Sequence, residues 1–423
     1  MTQSSPASSD ASTSATANSG IDIAICGAGP VGLSMAALLL KRGVAASRIA
    51  LIDAKEAQQA AHDPRSIALS YGSRQLLEEI GAWHDIAGAA NPIHQIHVSR
   101  RGHFGRTLID RSEYDLPALG YVTRYGVLSS ALHATVADSG IRMLRPAQVD
   151  RIEERDNDVL LHLRDGSGMT AGIAIQAEGG VFSEQSAKSL HRDYEQIAIV
   201  AQVHADAAGG LLALRAFERF TAQGPLALLP QDDGYALVWC VRPDTAQHLL
   251  ALNDTSFYEA LERAFGTRLG RFDRVSPRNS FPLGLNAQPQ ASTRVVAIGN
   301  AAQTLHPVAG QGFNLGLRDA AVLAGLLARC PQPSSTPKHA NDADAAARTS
   351  SASDFASVLP QFAKARRTDR NWTVNLTDTM ARIFASSSDR SLPQALLGLS
   401  LGVIDVVAPA KRMLAEQMMF GRR

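Results

Sequence analysis

The sequence predicts an α/β protein in which a unit of alternating strands and helices is interwoven with an antiparallel sheet and followed by a helical C-terminal region. Residues 21–53 follow the pattern strand, glycine turn, helix, strand. Between residues 196 and 285, short apolar stretches are bounded by turn residues, which is typical of antiparallel strands. Residues 354–423 have mostly helical periodicity.

Length and composition indicate a large folded protein without a nucleic-acid-binding surface. The 423 residues suffice for two or three domains or one large interwoven unit, and 45% of them are hydrophobic. Lys and Arg number 41 against 40 Asp and Glu, so no global field attracts nucleic acid. Cys26, Cys240 and Cys330 lie far apart in sequence, which favours a reducing cytoplasmic setting over a disulfide framework.

The two ends of the chain bear on its location. Residues 1–20 are rich in Ser, Ala and Thr and lack an apolar segment, so they predict a disordered tail rather than a secretory signal. No stretch reaches the roughly 18 to 20 continuous apolar residues of a membrane span. Residues 396–407 are mostly apolar, interrupted by Asp405, and precede Lys411 and Arg412. This pattern fits either peripheral contact at the inner face of the membrane or a packing helix.

The first motif is a short strand that leads through a glycine turn into a helix. Residues 21–26 predict the strand, 27–32 the turn and 31–42 the helix, and a second strand at 49–52 ends at Asp53. This order of elements predicts a Rossmann-like dinucleotide-binding unit. The alternative is a glycine turn of another α/β protein with an incidental acid.

Four residues of this motif have separate physical roles. Gly27 permits the tight turn, Gly29 lets a pyrophosphate approach the backbone, and Gly32 lets helix and strand pack closely. Asp53 would accept hydrogen bonds from an adenosine ribose.

A second glycine-bearing segment lies at residues 299–319, between an apolar strand at 295–298 and a helical pattern that ends near 327. Its glycines let backbone amides approach a flat, electron-rich ligand, and a helix N-terminus there favours negative charge. An NAD dehydrogenase needs only the first motif. A remote second motif therefore indicates a longer cofactor, which favours FAD over NAD.

Residues 299–319 resemble the second flavin-binding motif of the FAD-dependent aromatic-hydroxylase monooxygenases, the p-hydroxybenzoate hydroxylase-like family. The resemblance covers about residues 21–420 and implies a Rossmann-like FAD-binding domain interwoven with an antiparallel-sheet substrate domain. Asn300 stands where the family usually has Asp, and Gln303 where it usually has His. The resemblance places these residues at the FAD: Gly299, Asn300, Pro307, Gly310, Gln311, Gly312 and Asn314.

Two arginines extend the resemblance. Arg65, within residues 63–69, matches the family's arginine beside the flavin, and Arg124, just before a predicted helix at 125–137, matches the arginine that approaches the FAD phosphates. Either arginine could instead be a solvated surface charge.

The family's middle Asp-Gly motif is altered at residues 176–183. Aligned without gaps, Gly179 replaces the Asp, and Glu178 is the carboxylate that could take its place. The later arginine of the motif has no counterpart unless Lys188 serves. Because the family uses this motif for both FAD and NAD(P)H contacts, recognition of the reductant stays open.

Two further segments resemble the ubiquinone-biosynthesis branch of the family, residues 216–230 and the predicted helix at 362–384. The resemblance implies that O2 and a polyprenylated phenol are the substrates, that the ring is hydroxylated through a flavin hydroperoxide, and that other ubiquinone-biosynthesis proteins are partners. No second G-x-G-x-x-G is present, so NAD(P)H is expected to act as a transient reductant. The helix residues that fit this branch are Arg366, Asp369, Asp378 and Phe384.

His306 and Pro307 are the candidate catalytic residues, both predicted beside the flavin. His306 could instead be a structural histidine that caps the turn. His94 and His97 lie three residues apart in a predicted strand, so their side chains point to opposite faces and cannot share a metal. No metal site is predicted.

The predicted division of the chain alternates between two domains. It comprises a disordered tail (1–20), a discontinuous FAD-binding domain (21–92, 121–195 and 286–330), a substrate-binding sheet domain (93–120 and 196–285), a flexible insertion (331–353) and a helical C-terminal region (354–423).

Other functions stay open at this point. The chain could be another FAD aromatic hydroxylase, a flavoprotein oxidoreductase that does not insert oxygen, or a non-catalytic flavin-binding subunit of a biosynthetic complex. The scattered cysteines count against a disulfide reductase.

Overall fold

The computed structural model describes most of the chain in side-chain detail. The described residues are 21–56, 59, 63, 65–101, 106–179, 188–206, 210–287, 292–307, 310–330, 343–386 and 408–421. The predicted tail at 1–20 and the apolar stretch at 396–407 lie outside them.

The strands are β1 (Ile23–Cys26), β2 (Ile49–Ile52), β3 (Ser66–Ser70), β4 (Asn91–Ile93), β5 (Gln95–Arg100), β6 (Arg106–Asp110), β7 (Gly120–Arg124), β8 (Arg142–Leu144), β9 (Val149–Glu154), β10 (Val159–Leu163), β11 (Gly168–Ala171), β12 (Ile173–Gln176), β13 (Leu190–Ala205), β14 (Arg215–Phe220), β15 (Pro225–Gln231), β16 (Gly234–Val241), β17 (Phe272–Val275), β18 (Asn279–Ala287), β19 (Val295–Ala297) and β20 (Gln303–Thr304).

The α-helices are α1 (Pro30–Lys41), α2 (Tyr71–Glu79), α3 (Trp83–Ala87), α4 (Tyr125–Ala137), α5 (Pro243–Ala251), α6 (Asp254–Phe265), α7 (Gln311–Leu327), α8 (Ala343–Ser386) and α9 (Ala408–Phe420).

A five-stranded parallel sheet forms the first layer, in the order β19-β12-β1-β2-β8. β1, β2 and β12 are almost wholly apolar because helices and a small β-meander cover both faces of the sheet. α1, α4 and α7 pack on one face, and the antiparallel strands β9, β10 and β11 cover the other. The predicted dinucleotide-binding unit is present, and β9 pairs antiparallel with β10.

A larger, mostly antiparallel sheet forms the second layer, in the order β20-β18-β13-β16-β15-β14-β5-β6, with β17 on β13. One pair, β14 with β5, is parallel. The outer face of this sheet packs against α5 and α6 around buried side chains that include Phe217 and Trp239. The predicted fold class is confirmed: a parallel Rossmann-like sheet, an antiparallel sheet and a helical C-terminal region.

The predicted domain boundaries are still a prediction, and some elements cross them. β13 and β18 extend across the boundaries at 195 and 285, and the pairing of β13 with β18 shifts register between Asp193 and Gln196. α8 begins at Ala343, so residues 343–353 of the predicted flexible insertion lie in a helix. β5 begins at Gln95, so His94 precedes the strand while His97 is buried within it.

In the described residues, no helix is both long enough and apolar enough to cross a lipid bilayer.

Candidate active site

The first glycine turn lies where β1 ends, between β2 and β12. The backbone N–H of Gly27 donates a hydrogen bond of 2.7 Å to the Ile52 carbonyl. Gly27 has a φ of +105°, and a Cβ there would lie 2.6 Å from the backbone nitrogen of Glu178. A Cβ on Gly32 would lie 1.8 Å from the Gly27 carbonyl oxygen. Only glycine fits either position.

Asp53 supports this turn directly. Its Oδ2 accepts a hydrogen bond of 2.5 Å from the Ala28 N–H, and its Oδ1 accepts one of 2.7 Å from the Lys55 N–H. Arg145 adds a cation 3.8 Å from Oδ1. The carboxylate therefore has a structural role beside its predicted contact with a ribose.

The N-terminus of α1 opens beside Gly29. Gly29 is the N-cap residue, no side chain caps the helix, and its first turn holds no acidic residue. A Cβ on Gly29 would meet only the Tyr125 hydroxyl, at 3.8 Å. Uncapped N–H groups with the positive end of the helix dipole suit a pyrophosphate.

The second glycine segment packs against the first. Gly299 has a φ of +60°, and a Cβ there would lie 3.1 Å from Cγ2 of Val31 in α1. A Cβ on Gly316 would lie 2.9 Å from both that Cγ2 and the Gly299 Cα. The fold therefore brings two remote parts of the chain close enough to contact one elongated cofactor.

The altered Asp-Gly motif lies at the same junction. A Cβ on Gly179 would be 3.6 Å from Cβ of Asn300. The pKa of Glu178 is raised by burial and then by the charge of Asp53. Glu178 is thus well placed to supply the carboxylate that the motif lacks. The Lys188 ammonium instead donates to the Ala301 carbonyl.

The start of α7 forms the other end of the site. Gly310, the N-cap residue, has a φ of +59°, and a Cβ there would be 3.0 Å from Cβ of Ala68. The Gly310 N–H donates to the Pro307 carbonyl at 2.9 Å. A Cβ on Gly312 would meet no atom within 4 Å. Gly312 therefore borders open space, as a position facing a ligand requires.

The side chains of Gln311 and Asn314 form hydrogen bonds with other protein groups. Asn314 is buried; its Oδ1 accepts from the Ser70 N–H at 2.9 Å and the Ser73 hydroxyl at 2.8 Å. Its Nδ2 donates to the carbonyls of Ala68 and Gly310 at 3.0 and 2.9 Å. The Gln311 Nε2 lies 3.4 Å from the Met418 carbonyl. A cofactor contact predicted for Asn314 would therefore use its backbone.

His306 is buried and neutral. Gln196 donates from Nε2 to the Gln223 carbonyl at 2.7 Å, so its Oε1 must accept, and His306 Nε2–H donates to it at 3.1 Å. The ring packs edge-on against Tyr194, with centroids 5.5 Å apart. Burial lowers the pKa of His306 to about 3. These contacts favour the structural alternative for His306, and the role of Pro307 beside the flavin stays a prediction.

Arg65 and Arg124 both reach toward the large sheet. The Arg65 guanidinium pairs with Asp63 at 2.6 Å and lies 4.9 Å from the Tyr125 ring centroid and 5.7 Å from that of Phe281. It therefore lies between the two layers.

Arg124 is half-exposed. Its Nη2 donates to Asp232 at 2.6 Å and to Gln202 at 3.2 Å. The contact of either arginine with FAD stays a prediction.

The C-terminal helices are joined to α7 by a buried charge network that the motifs only partly indicated. Asp319 accepts from Arg366 at 2.7 Å and from Arg370 at 3.0 Å, and Asp369 accepts from Arg318 at 2.9 Å and from Arg366 at 2.6 Å. Both carboxylates are fully buried. The network fixes α8 against the helix that begins at the second motif.

The inner face of the large sheet, opposite α5 and α6, packs in part against β7, a strand of the small sheet β3-β7-β4. Ala216 and Leu229 of this face pack with Val122 of β7. One cross-strand row beside them is partly exposed while the outer face is buried. We call this set the inner row; its members are Val200, Val238, Ala227, Glu218 and Val98, aligned by the strand registers. Such a row can form the apolar wall of a cleft.

Comparison with known proteins agrees with this geometry. The profile of the family described as FAD binding domain matches residues 20–347. Ubiquinone hydroxylase UbiL of Rhodospirillum rubrum is 30% identical over 405 residues, which cover 94% of this chain and 89% of that protein. The 3-demethoxyubiquinol 3-hydroxylase of Escherichia coli is 29% identical over 318 residues, 73% of this chain and 80% of that one.

A solved structure shares the fold. It is p-nitrophenol 4-monooxygenase PnpA from Pseudomonas putida, which superposes with a TM-score of 0.67 at 17% identity, over 96% of this chain and 99% of that chain. The uncapped α1 terminus, the glycine cradle and the adjoining second turn all fit an FAD. The chain therefore belongs to the FAD-binding-domain family, and FAD is its cofactor.

Proposed function

We propose that the protein is an FAD-dependent monooxygenase that hydroxylates the aromatic ring of a polyprenylated phenol in ubiquinone biosynthesis, with O2 as co-substrate. The observation that carries this proposal is the packing of the second glycine turn on Val31 of the first motif. The chain then continues into β20, which pairs with β18 of the large sheet. The names of the relatives, ubiquinone hydroxylase and 3-demethoxyubiquinol 3-hydroxylase, supply the substrate class.

The residues divide the work of holding the cofactor. The N-terminus of α1 binds the pyrophosphate, and Asp53 fixes the turn and meets the ribose. The N-terminus of α7, with Gly312 open to the site, stabilises negative charge at the ring. The bound flavin supplies the oxygen chemistry itself. The sheet with its inner row covers the substrate and excludes water.

Two residues at the second turn bear on which member of the branch the chain resembles. Asn300 and Gln303 resemble the corresponding pair of 2-octaprenyl-6-methoxyphenol hydroxylase. Gln303 is buried, and its Nε2 donates to Asp319 at 3.2 Å. An uncharged amide at 303 thus joins the buried charge network without adding charge to it. Analysis of the reaction product would identify the ring position that is hydroxylated.

NAD(P)H is proposed to reduce the flavin during a transient visit, because the sequence contains one dinucleotide-binding glycine motif. Anaerobic titration with NADH and NADPH separately, followed by flavin bleaching, identifies the preferred reductant. Other ubiquinone-biosynthesis proteins are proposed partners.

Peripheral membrane contact is proposed for residues 396–407. The helix after them is committed to the fold, since Lys411 pairs with Glu113 at 2.8 Å and the Phe420 ring packs against Tyr71. We expect the substitutions Leu397→Asp and Val403→Asp together to reduce flotation with vesicles of anionic lipid while FAD content is unchanged. Unchanged flotation would favour the packing alternative.

The main test is single-turnover hydroxylation. The holoprotein is reduced anaerobically, mixed with isotopically labelled O2 with and without a farnesylated phenol, and the product is weighed by mass spectrometry. Label in the ring, stoichiometric with O2 consumed, is the expected result. Hydrogen peroxide without product would favour an oxidase, and no NAD(P)H oxidation with any phenol would favour a non-catalytic subunit.

A further inference from the structure

Among the residues that the structure describes, the carboxyl group of Glu218 has no hydrogen-bond or ion-pair partner. It lies on β14 in the inner row, paired across the strands with Ala227 on one side and Val98 on the other. Burial raises its pKa to about 7.

An unpaired acid in an apolar row is costly, which calls for an explanation. Glu218 is partly exposed although β14 lies between two paired strands, so the surrounding side chains do not seal it off completely. Such a position suits a group that meets a ligand. An acid that served only to stabilise the fold would instead be paired, as Asp319 and Asp369 are.

Hydrogen bonds connect the end of β14 to the second flavin motif. β14 ends two residues after Glu218, and the hairpin that follows is held by the bond from Gln196 to the Gln223 carbonyl. Gln196 in turn receives the His306 hydrogen bond. A single chain of contacts therefore connects the strand of Glu218 to the turn that precedes Pro307.

We propose that Glu218 is a catalytic residue that contacts the hydroxyl group of the bound phenol, accepts its hydrogen bond and takes its proton. This inference rests on the proposed function. The phenol O–H bond breaks, its electron pair stays on the phenol oxygen, and the proton binds a carboxylate oxygen of Glu218. The phenolate is more electron-rich at its ortho and para carbons, where oxygen is inserted, and the product phenolate takes a proton back. The step consumes no oxidant.

The pH dependence of turnover follows from the ionisation of Glu218 among its neighbours. The titratable or charged groups beside Glu218 on the inner face are the buried thiol of Cys240 on β16, whose pKa is raised by burial and then by Glu218, and buried Arg100 on β5. Glu218 accepts a proton only when it is ionised, so turnover should rise as pH increases through about 7 and then level off.

The test compares Glu218→Gln with Glu259→Gln, a matched change at an exposed residue of α6 in the same layer. Oxidised holoprotein is titrated with a farnesylated phenol from pH 6 to pH 9. Flavin absorbance reports binding, and the ultraviolet difference spectrum reports whether the bound ligand is phenol or phenolate. Turnover is measured over the same range.

We expect wild type and Glu259→Gln to bind phenolate at pH 8. Glu218→Gln should bind the phenol in its neutral form within about threefold of the wild-type affinity, because the amide still accepts a hydrogen bond. Its turnover should fall about 100-fold or more and lose the rise near pH 7. Glu218→Asp should restore part of the turnover and the rise.

A wild-type pH profile and a phenolate spectrum in Glu218→Gln would overturn the inference. Loss of FAD from this variant but not from Glu259→Gln would also overturn it, because the role would then be structural. If wild type binds phenolate but forms no hydroxylated product, the proposed function fails while the assignment of Glu218 as proton acceptor holds.

Discussion

The Ala28 backbone N–H donates a 2.5 Å hydrogen bond to Oδ2 of Asp53, so one carboxylate holds the end of β2 to the glycine turn. The acid that the sequence predicted as a ribose ligand is also a support of the phosphate-binding backbone. Substitutions at 53 should separate these roles, because Asn keeps an acceptor oxygen and Ala does not.

We expect Asp53→Ala to lower FAD affinity at least tenfold and the free energy of unfolding by about 1–3 kcal/mol, since the Ala28 N–H loses its acceptor. Asp53→Asn should reduce FAD affinity and the free energy of unfolding by less. Flavin absorbance per protein measures FAD content, and urea unfolding measures stability. Asp156→Ala, in the exposed β9–β10 turn, is the control. Full FAD content in Asp53→Ala would contradict the assignment.

Substitution by alanine should have different effects at Gly32, where it disturbs folding, and at Gly312, where it disturbs FAD binding. Gly32→Ala places a Cβ 1.8 Å from the Gly27 carbonyl oxygen and should prevent correct folding. Gly312→Ala meets nothing within 4 Å, so the FAD-free protein should be as stable as wild type but bind FAD more weakly. Calorimetry and flavin titration distinguish the two. Gly88→Ala, another open position, is the control; normal FAD binding by Gly312→Ala would remove α7 from the site.

Burial of His306 should make the protein acid-sensitive. Its folded-state pKa of about 3 lies below the ordinary 6.5, so between these values the unfolded chain binds the extra proton. The stability that neutral His306 contributes is present above pH 6.5 and is lost by up to about 1.4 kcal/mol per pH unit on acidification. His306→Gln should flatten this dependence in urea unfolding at pH 5 and pH 8, whereas the exposed control His248→Gln should not.

The contribution of Glu218 to the pH dependence of stability should have the opposite sign to that of His306. Its pKa in the folded protein is raised to about 7, so the folded state holds a proton that the unfolded chain releases above about 4.5. The free energy of unfolding of the wild type should therefore fall by about 2–3 kcal/mol between pH 5 and pH 8, relative to that of Glu218→Gln. Glu259→Gln should track the wild type. Parallel pH curves for wild type and Glu218→Gln would contradict the burial of a titrating acid.

The buried charge network should be far more sensitive than an exposed pair on the same side of the molecule. Asp369→Ala leaves Arg318 and Arg366 without that carboxylate and removes the acceptor of the Gln417 amide, so we expect a loss of about 3–5 kcal/mol. Glu416→Ala breaks an exposed i,i+4 pair with Arg412 and should cost less than about 1 kcal/mol. Thermal unfolding measures both; equal losses would contradict the network's role.

Local sequence pattern predicted much of this fold. The strand, turn and helix from Ile23 to Lys41 and the helix Tyr125–Ala137 match their predicted ranges because periodicity and glycine placement act over short distances. Phe217 and Trp239 lie in the core of the outer face.

The sequence could not predict which polar groups of the site are already engaged. The four hydrogen bonds of Asn314, the burial of His306 and the pairing of Arg124 with Asp232 all depend on segments that meet only in the folded protein. Glu218 gave no sequence signal apart from its place in a family-like segment, because its isolation depends on three neighbouring strands.

The position of β19 has a consequence for how the holoprotein forms. β19 is the last strand of the parallel sheet and pairs with β12, and the turn that follows it is the one that meets Val31. During synthesis the binding site is therefore incomplete until residues beyond 316 have left the ribosome. We therefore expect FAD to be captured only after about three quarters of the 423 residues have been made, and N-terminal fragments that end before β19 should remain colourless however well their first motif folds.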